Sequence, residues 1–138
     1  MIAYLDSSVV LRVVLGQPGR IAEWKRITTG VASSLVEVEC LRTIDRLRLA
    51  GELSVEETAV RREAIYRVLE RLDLVEMTNV VLHRASQPMS APLGTLDALH
   101  LATADLWRET RGKELIFATH DRALALGARA SGFRVLGV

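Results

Sequence analysis

Short apolar runs of strand length alternate with segments of helical period along nearly the whole chain, and no hairpin turn signal separates any two of the runs. Parallel strands need a crossover connection, and helical crossovers cover both faces of the sheet they join. The alternation therefore predicts an α/β chain built on a parallel sheet. The strands are Ile2–Leu5, Gly30–Ser33, Leu74–Met77, Glu114–Ala118 and Phe133–Leu136. Ligands of such sheets lie beyond the carboxyl ends of the strands, so acids in strand-to-helix turns are the first candidates for chemistry.

The helices announce themselves by their ends. Asp6-Ser7-Ser8 opens an apolar helix after the first strand. Arg20–Thr28 reads as a short helix around Trp24. Ser34 with Glu37, and Ser54 with Glu57, have capping-box spacing. Thr78 and Thr95 are candidate caps for helices over 79–86 and 96–110, and Gly112 closes the second of these. Asp121 precedes the last helix, Arg122–Ala130. Val9, Val10, Leu11, Val13, Val14 and Leu15 are too many apolar residues for one face of one helix, which calls for contact with a partner or a second subunit, or else for a wholly buried helix.

The 138 residues suit one domain, 1–138, with no linker. The single cysteine, Cys40, excludes a disulfide framework and a cysteine zinc site, and fits a reducing, cytoplasmic setting as a small core residue. The apolar start is short and meets an acid at position 6, unlike a signal peptide, and no run is long enough to span a membrane. With 18 basic and 17 acidic residues the net charge is +1, which excludes a polybasic arm. All but two of the bases, Lys25 and Lys113, are arginine, the residue suited to phosphate forks.

Four acids stand out. Asp6 and Asp121 each follow a strand, and each alone could be a helix cap. Asp97 lies in the first turn of Leu96–Ala104, a run apolar nearly all round. The helix dipole favours a carboxylate there by about 0.3–1 kcal/mol, several times less than an unpaired buried charge costs. A cation would remove the conflict. Glu39 or Glu37 joins from the helix after the second strand; the two face about 200° apart, and periodicity alone does not choose between them. Carboxylates gathered at one sheet edge repel. Hard oxygen donors call for Mg²⁺, or Mn²⁺ in its place, and such ions serve phosphodiester cleavage.

These segments resemble the PIN-domain family, in particular its VapC-type toxins from prokaryotic toxin–antitoxin pairs. Tyr4-Leu5-Asp6-Ser7-Ser8 is similar to the family's first acidic motif. Ala32-Ser33-Ser34-Leu35, with Glu39 and Leu41-Arg42, resembles the second and favours Glu39. Leu96 to Ala104 is very close to the third, and Thr119-His120-Asp121 resembles the threonine-x-aspartate element. The resemblance implies a PIN-like three-layer α/β/α sandwich with a mainly parallel sheet of about five strands. It implies a metal-dependent, single-strand endoribonuclease that forms a homodimer and is inhibited by a cognate antitoxin. Asp6, Glu39, Asp97 and Asp121 are then the catalytic and metal-binding set, the three aspartates direct ligands and Glu39 a ligand or water-positioning group.

Around them, Ser8 and Thr119 are expected to orient a carboxylate or a metal's water. Arg12 and Arg42, with Arg46 and Arg122, are candidates for phosphate contact, although a solvated face explains any one of them. His83, His100 and His120 lack zinc spacing, and Asp105 reads as a paired surface charge. The alternative function is a PIN-like module without activity that only binds within a complex. Two other hydrolytic or phospho-accepting folds fit less well. A haloacid-dehalogenase phosphatase needs an aspartate where Ser8 stands. A phospho-receiver needs a lysine after the fourth strand, and Lys113 precedes it.

Overall fold

The computed structural model describes residues 1–112 and 114–138; Lys113 lies outside the described residues. The central strand is β1 (Ile2–Leu5), followed by α1 (Ser7–Val14), a 3₁₀ turn (Ala22–Arg26), β2 (Thr29–Ser33), α2 (Leu35–Leu49) and α3 (Val55–Leu69). Then come β3 (Leu72–Val75), α4 (Asn79–Ala85), α5 (Thr95–Arg111), β4 (Ile116–Ala118), α6 (Arg122–Ala130) and β5 (Val135–Leu136). The sheet order is β3-β2-β1-β4-β5, and every pairing is parallel. The chain builds outward from β1 to β3, then crosses to the other side of β1 for β4 and β5. The carboxyl ends of β1 and β4 therefore flank a topological switch point, where open α/β sheets keep their ligands.

Strand residues alternate between two cores, as a two-period element buried on both faces must. Ala3, Leu5 and Ala32 pack with Val10 of α1, Ile44 of α2 and Ile65 of α3. Tyr4, Val31 and Phe117 point the other way, into Leu101 and Trp107 of α5 and Leu124 of α6. The expected α/β/α sandwich with five strands is what forms.

Several local expectations are corrected. The stretch around Trp24 makes only a 3₁₀ turn. β3 starts two residues earlier than its apolar run suggests, because Leu72 and Leu74 pair with Gly30 and Ala32. Ser54 and Glu57 make both bonds of a capping box, but Ser34 and Glu37 make neither. Ser34 already has helical angles (φ −57°, ψ −19°), so its hydroxyl does not reach over the first turn. Ser33 accepts from the Leu35 amide instead, at 3.2 Å. Gly94, not Thr95, caps α5, with Thr95 as its first helical residue.

Most of the surplus apolar residues of α1 find at least partial cover within the chain, while Val13 lines an open cavity with Trp24 and Ile27. Val9, Val10 and Val14 are buried, and Leu11 and Leu15 pack against the same core. Cys40 is buried as expected, and burial first, then the Glu39 charge, pushes its thiol up to about 12. Asp105 pairs with Arg108 at 2.7 Å. Among the described residues no helix is long and apolar enough to cross a membrane.

Candidate active site

Asp6 stands where β1 ends. Its amide bonds to Ala118 O at 3.1 Å, tying the ends of the two switch-point strands together. Its carboxylate is buried, and Oδ2 carries most of the contacts. Ser8 Oγ donates to it at 2.6 Å and Thr119 Oγ1 at 2.9 Å. Each hydroxyl is itself aimed by a backbone donor: His120 N–H to Ser8 Oγ and Asp121 N–H to Thr119 Oγ1, both at 3.0 Å. Two strand-to-helix turns are thus knitted through one carboxylate oxygen. The other, Oδ1, has only Ser7 Oγ at 3.4 Å and the His100 ring at 3.7 Å.

The C-terminal residues brace this arrangement. Gly137 has φ +106°, and a Cβ there would lie 2.3 Å from Thr119 O, so only glycine lets the chain pass. Its carbonyl accepts a bond from His120 Nδ1 at 2.8 Å.

The remaining acids come in from three helices. Asp121 caps α6, with Oδ1 taking the Leu124 amide at 2.9 Å. Glu39, half-buried on α2, gives Oε1 to His100 Nε2 at 2.6 Å. Asp97, half-buried in the first turn of α5, has no side-chain hydrogen bond among the described residues. Burial raises its pKa, and the charges of Asp121, Asp6 and Glu39 add to the effect against a partial offset by His100. The direction follows first from burial and then from the three other carboxylates nearby. Asp121 and Glu39 are each held through one oxygen with the second left open, and Asp6 Oδ1 has only the long Ser7 bond.

Among the described residues no three His, Cys, Asp or Glu side chains enclose a cation as they stand. The donor set is nonetheless all hard oxygen, as a hard divalent cation requires. The mutual repulsion at Asp97 is a cost that positive charge would relieve.

A PIN-domain family model matches residues 3–129. The chain belongs to the PIN-domain family. Ribonuclease VapC46 of Mycobacterium tuberculosis (strain H37Rv) is 31% identical over 136 residues, covering 96% of this chain and 95% of the relative. Ribonuclease VapC47 of M. tuberculosis (strain CDC 1551) is 27% identical over 137 residues, covering 94% and 92%. The fold matches VapBC2 of Rickettsia felis, solved bound to a promoter DNA fragment, with TM-score 0.67 at 12% identity over 98% and 97% of the chains. A toxin–antitoxin complex from Klebsiella pneumoniae gives TM-score 0.65 at 14% identity over 91% of each chain.

In this PIN domain Asp6, Glu39, Asp97 and Asp121 come to one edge of the sheet, with Ser8 and Thr119 beside Asp6. Glu37 is exposed and faces away. Arg42 and Arg46 line a groove of about 460 Å³ that begins at Glu39 and is walled by Val38 and Leu96. Arg42 pairs with Asp45 rather than with Glu39. Arg12 is not brought to the acids: it lies about 9 Å along α1 from Asp6 at ~1.5 Å per residue, in a separate cleft with Gly16 and Gly19.

His100 is the site residue that the sequence pattern did not single out. It is buried, and its Nδ1 meets the Tyr4 hydroxyl at 2.8 Å. Burial pulls its pKa down, but the Glu39 hydrogen bond and the charges of Glu39, Asp6 and Asp97 outweigh this and hold it above the ordinary value. The one available sequence signal is its spacing: three residues after Asp97, it shares a helix face with that acid.

Proposed function

We propose that this PIN domain is a VapC-like toxin, a metal-dependent endoribonuclease that cleaves single-stranded regions of RNA. The observation that carries this reading is the meeting of four carboxylates at the switch point, where Asp97 is unbonded among the described residues and Asp121 and Glu39 are each bonded through one oxygen. The two ribonuclease relatives support the substrate class. Mg²⁺, or Mn²⁺ in its place, would supply charge neutralisation and an activated water for in-line displacement at phosphorus.

Asp6, Asp97 and Asp121 are the direct ligands in this proposal. Ser8 and Thr119 hold Asp6 Oδ2, so that Oδ1 is the oxygen offered to the ion. Glu39 positions the attacking water or binds through it. Arg42 and Arg46 receive backbone phosphates along the groove that leaves Glu39; Arg12, at the far end of α1, would meet only a longer strand. Bulk charge does not oppose an RNA substrate. Setting these four acids apart from the 17 leaves 13 against 18 bases, and the ion offsets the site's own negative charge. The partner is a cognate antitoxin, in keeping with the toxin–antitoxin complexes that share the fold, and the working form is a homodimer.

The test is cleavage of total RNA with Mg²⁺ and with EDTA, by wild type and by Asp97→Asn. Asp97 makes no hydrogen bond for asparagine to disrupt, so the variant keeps its fold and loses cleavage. Equal cleavage by the two folded proteins would sink the assignment. The reading of a PIN-like module without activity has the intact acid set against it; it requires wild type to bind no metal in calorimetry and to cut nothing.

A further inference from the structure

We propose that His100 is a positioning residue that aims Glu39 at the carboxylate pocket, and that Tyr4 holds His100 in place to do so. The proposal rests on the ribonuclease reading above and adds to it a group outside the acid set.

The contact is unusual in where it runs. Glu39 belongs to α2, whose apolar side packs on one face of the sheet with Ala32 and Leu5. His100 belongs to α5, whose apolar side packs on the opposite face with Tyr4 and Phe117. Their 2.6 Å bond therefore closes over the carboxyl edge of the sheet and joins residues 61 apart. No other side-chain hydrogen bond among the described residues links α2 to α5.

The ring is fixed from several directions. Its side chain is 1% exposed. Nδ1 lies 2.8 Å from the Tyr4 hydroxyl, and the Tyr4 ring is itself stacked on Phe117 at 4.9 Å. A hydroxyl both donates and accepts, so this contact is satisfied whether the imidazole is neutral or charged. Either way Nε2 carries the proton that it gives to Glu39.

A core histidine with only a structural task needs two partners of any kind. Here one partner is a half-buried carboxylate whose second oxygen has no protein hydrogen bond among the described residues. Glu39 has several rotatable bonds and no other hydrogen bond to its carboxylate. Without the imidazole its head would sweep the groove rather than face Asp6. Outer groups that orient carboxylate or imidazole ligands in this way are worth roughly 10–100-fold in metal affinity or activity.

Two amide substitutions separate positioning from packing. His100→Asn places its amide near the Nδ1 position, so it keeps the Tyr4 contact and loses Glu39. His100→Gln extends its amide to the Nε2 position and restores a donor to Glu39. Full-length variants are compared for Mn²⁺ affinity by calorimetry, for kcat and KM on an RNA substrate, and for melting temperature. The expected result for His100→Asn is a loss of about 10–100-fold in Mn²⁺ affinity or kcat, with a smaller change in KM because Arg42 and Arg46 keep their places in the groove. His100→Gln recovers most of the loss. In a Glu39→Gln background His100→Asn has little further effect, since the side chain it aims no longer carries the carboxylate.

If both amide variants melt earlier but keep wild-type Mn²⁺ affinity and kcat, His100 is a core residue and the proposal is overturned. Equal losses in His100→Asn and His100→Gln overturn it as well. Wild-type protein that neither binds Mn²⁺ nor cleaves RNA instead overturns the ribonuclease reading, and this proposal falls with it.

Discussion

Replacing Thr119 by valine removes one oxygen and little else, and the structure says what that oxygen does. Thr119 is fully buried. Its hydroxyl donates to Asp6 Oδ2 at 2.9 Å and accepts the Asp121 amide at 3.0 Å. A hydrogen bond to a charged group contributes about 1.5–3 kcal/mol. The Asp121 amide loses its acceptor at a cost of roughly 1 kcal/mol, toward the low end because the turn is exposed and water can replace part of the bond. The new buried methyl returns about 0.8 kcal/mol. The net is a destabilisation of about 2–3 kcal/mol. In a chain of this length each kcal/mol moves the melting temperature by roughly 3–5 °C, so a fall of about 6–15 °C is expected. Urea denaturation should show a lower midpoint with an unchanged slope. Thr119→Ser is the control: it keeps the oxygen, and should lose no more than about 1 kcal/mol for its missing methyl. Valine within about 0.5 kcal/mol of wild type, or serine as damaging as valine, would refute the claim that this hydroxyl clamps Asp6. The same clamp predicts that Thr119→Val weakens divalent-metal affinity about 10-fold or more.

The metal-free protein should be more stable at mildly acidic pH than at mildly alkaline pH. His100 and Asp97 are both held above their ordinary values. A group whose pKa is raised in the fold contributes stability below its unfolded value and loses it as pH rises through the folded one. The His100 contribution is therefore lost above its ordinary value of about 6.5, and that of Asp97 above about 3.9. A urea midpoint that climbs steadily from pH 5 to pH 8 without metal would contradict this, and Mg²⁺ should flatten the slope by relieving the repulsion. Gly137→Ala should cost about 1–3 kcal/mol, the usual range for a strained backbone, because its Cβ would fall 2.3 Å from Thr119 O. A melting temperature equal to wild type would show that the C-terminal turn is free to move away from Thr119.

Much of the fold could be read from residues alone because its signals are local. Strand length, helical period and capping chemistry act over a few residues, and Ser54 with Glu57 shows how well such a signal works when the backbone enters the helix extended. Ser34 shows the limit. Its spacing to Glu37 is equally good, but the turn from β2 delivers it with helical angles, so the cap does not form. The start of β3 was misplaced for a related reason, since pairing with β2 and not the apolar run decides which residues join the ladder. The partner face expected on α1 depended on how many elements would cover that helix, which is a sum over distant segments.

At the site, the order of acids along the chain was enough to nominate Asp6, Asp97 and Asp121, while the choice of Glu39 over Glu37 came from the resemblance to the family's second motif. The three aspartates stand at helix starts and Glu39 one turn into α2, and a parallel sheet brings its strand-to-helix turns to one edge. The same pattern nominated Ser8 and Thr119 as helpers without saying that both would share a single oxygen of Asp6. Arg12 and Arg42 looked equivalent in sequence, yet one lies in a separate cleft and the other in the groove beside Glu39. The bond between His100 and Glu39 was out of reach altogether. It joins two helices from opposite faces of the sheet, and no local period or spacing encodes which rotamers meet across that edge. Chain order alone determined a parallel α/β scaffold and the gathering of acids at its carboxyl edge, because both follow from short-range pattern and crossover topology. Which oxygen is held, which is free and what aims it were decided only in three dimensions, because a hydrogen bond depends on tenths of an ångström between residues the chain keeps far apart.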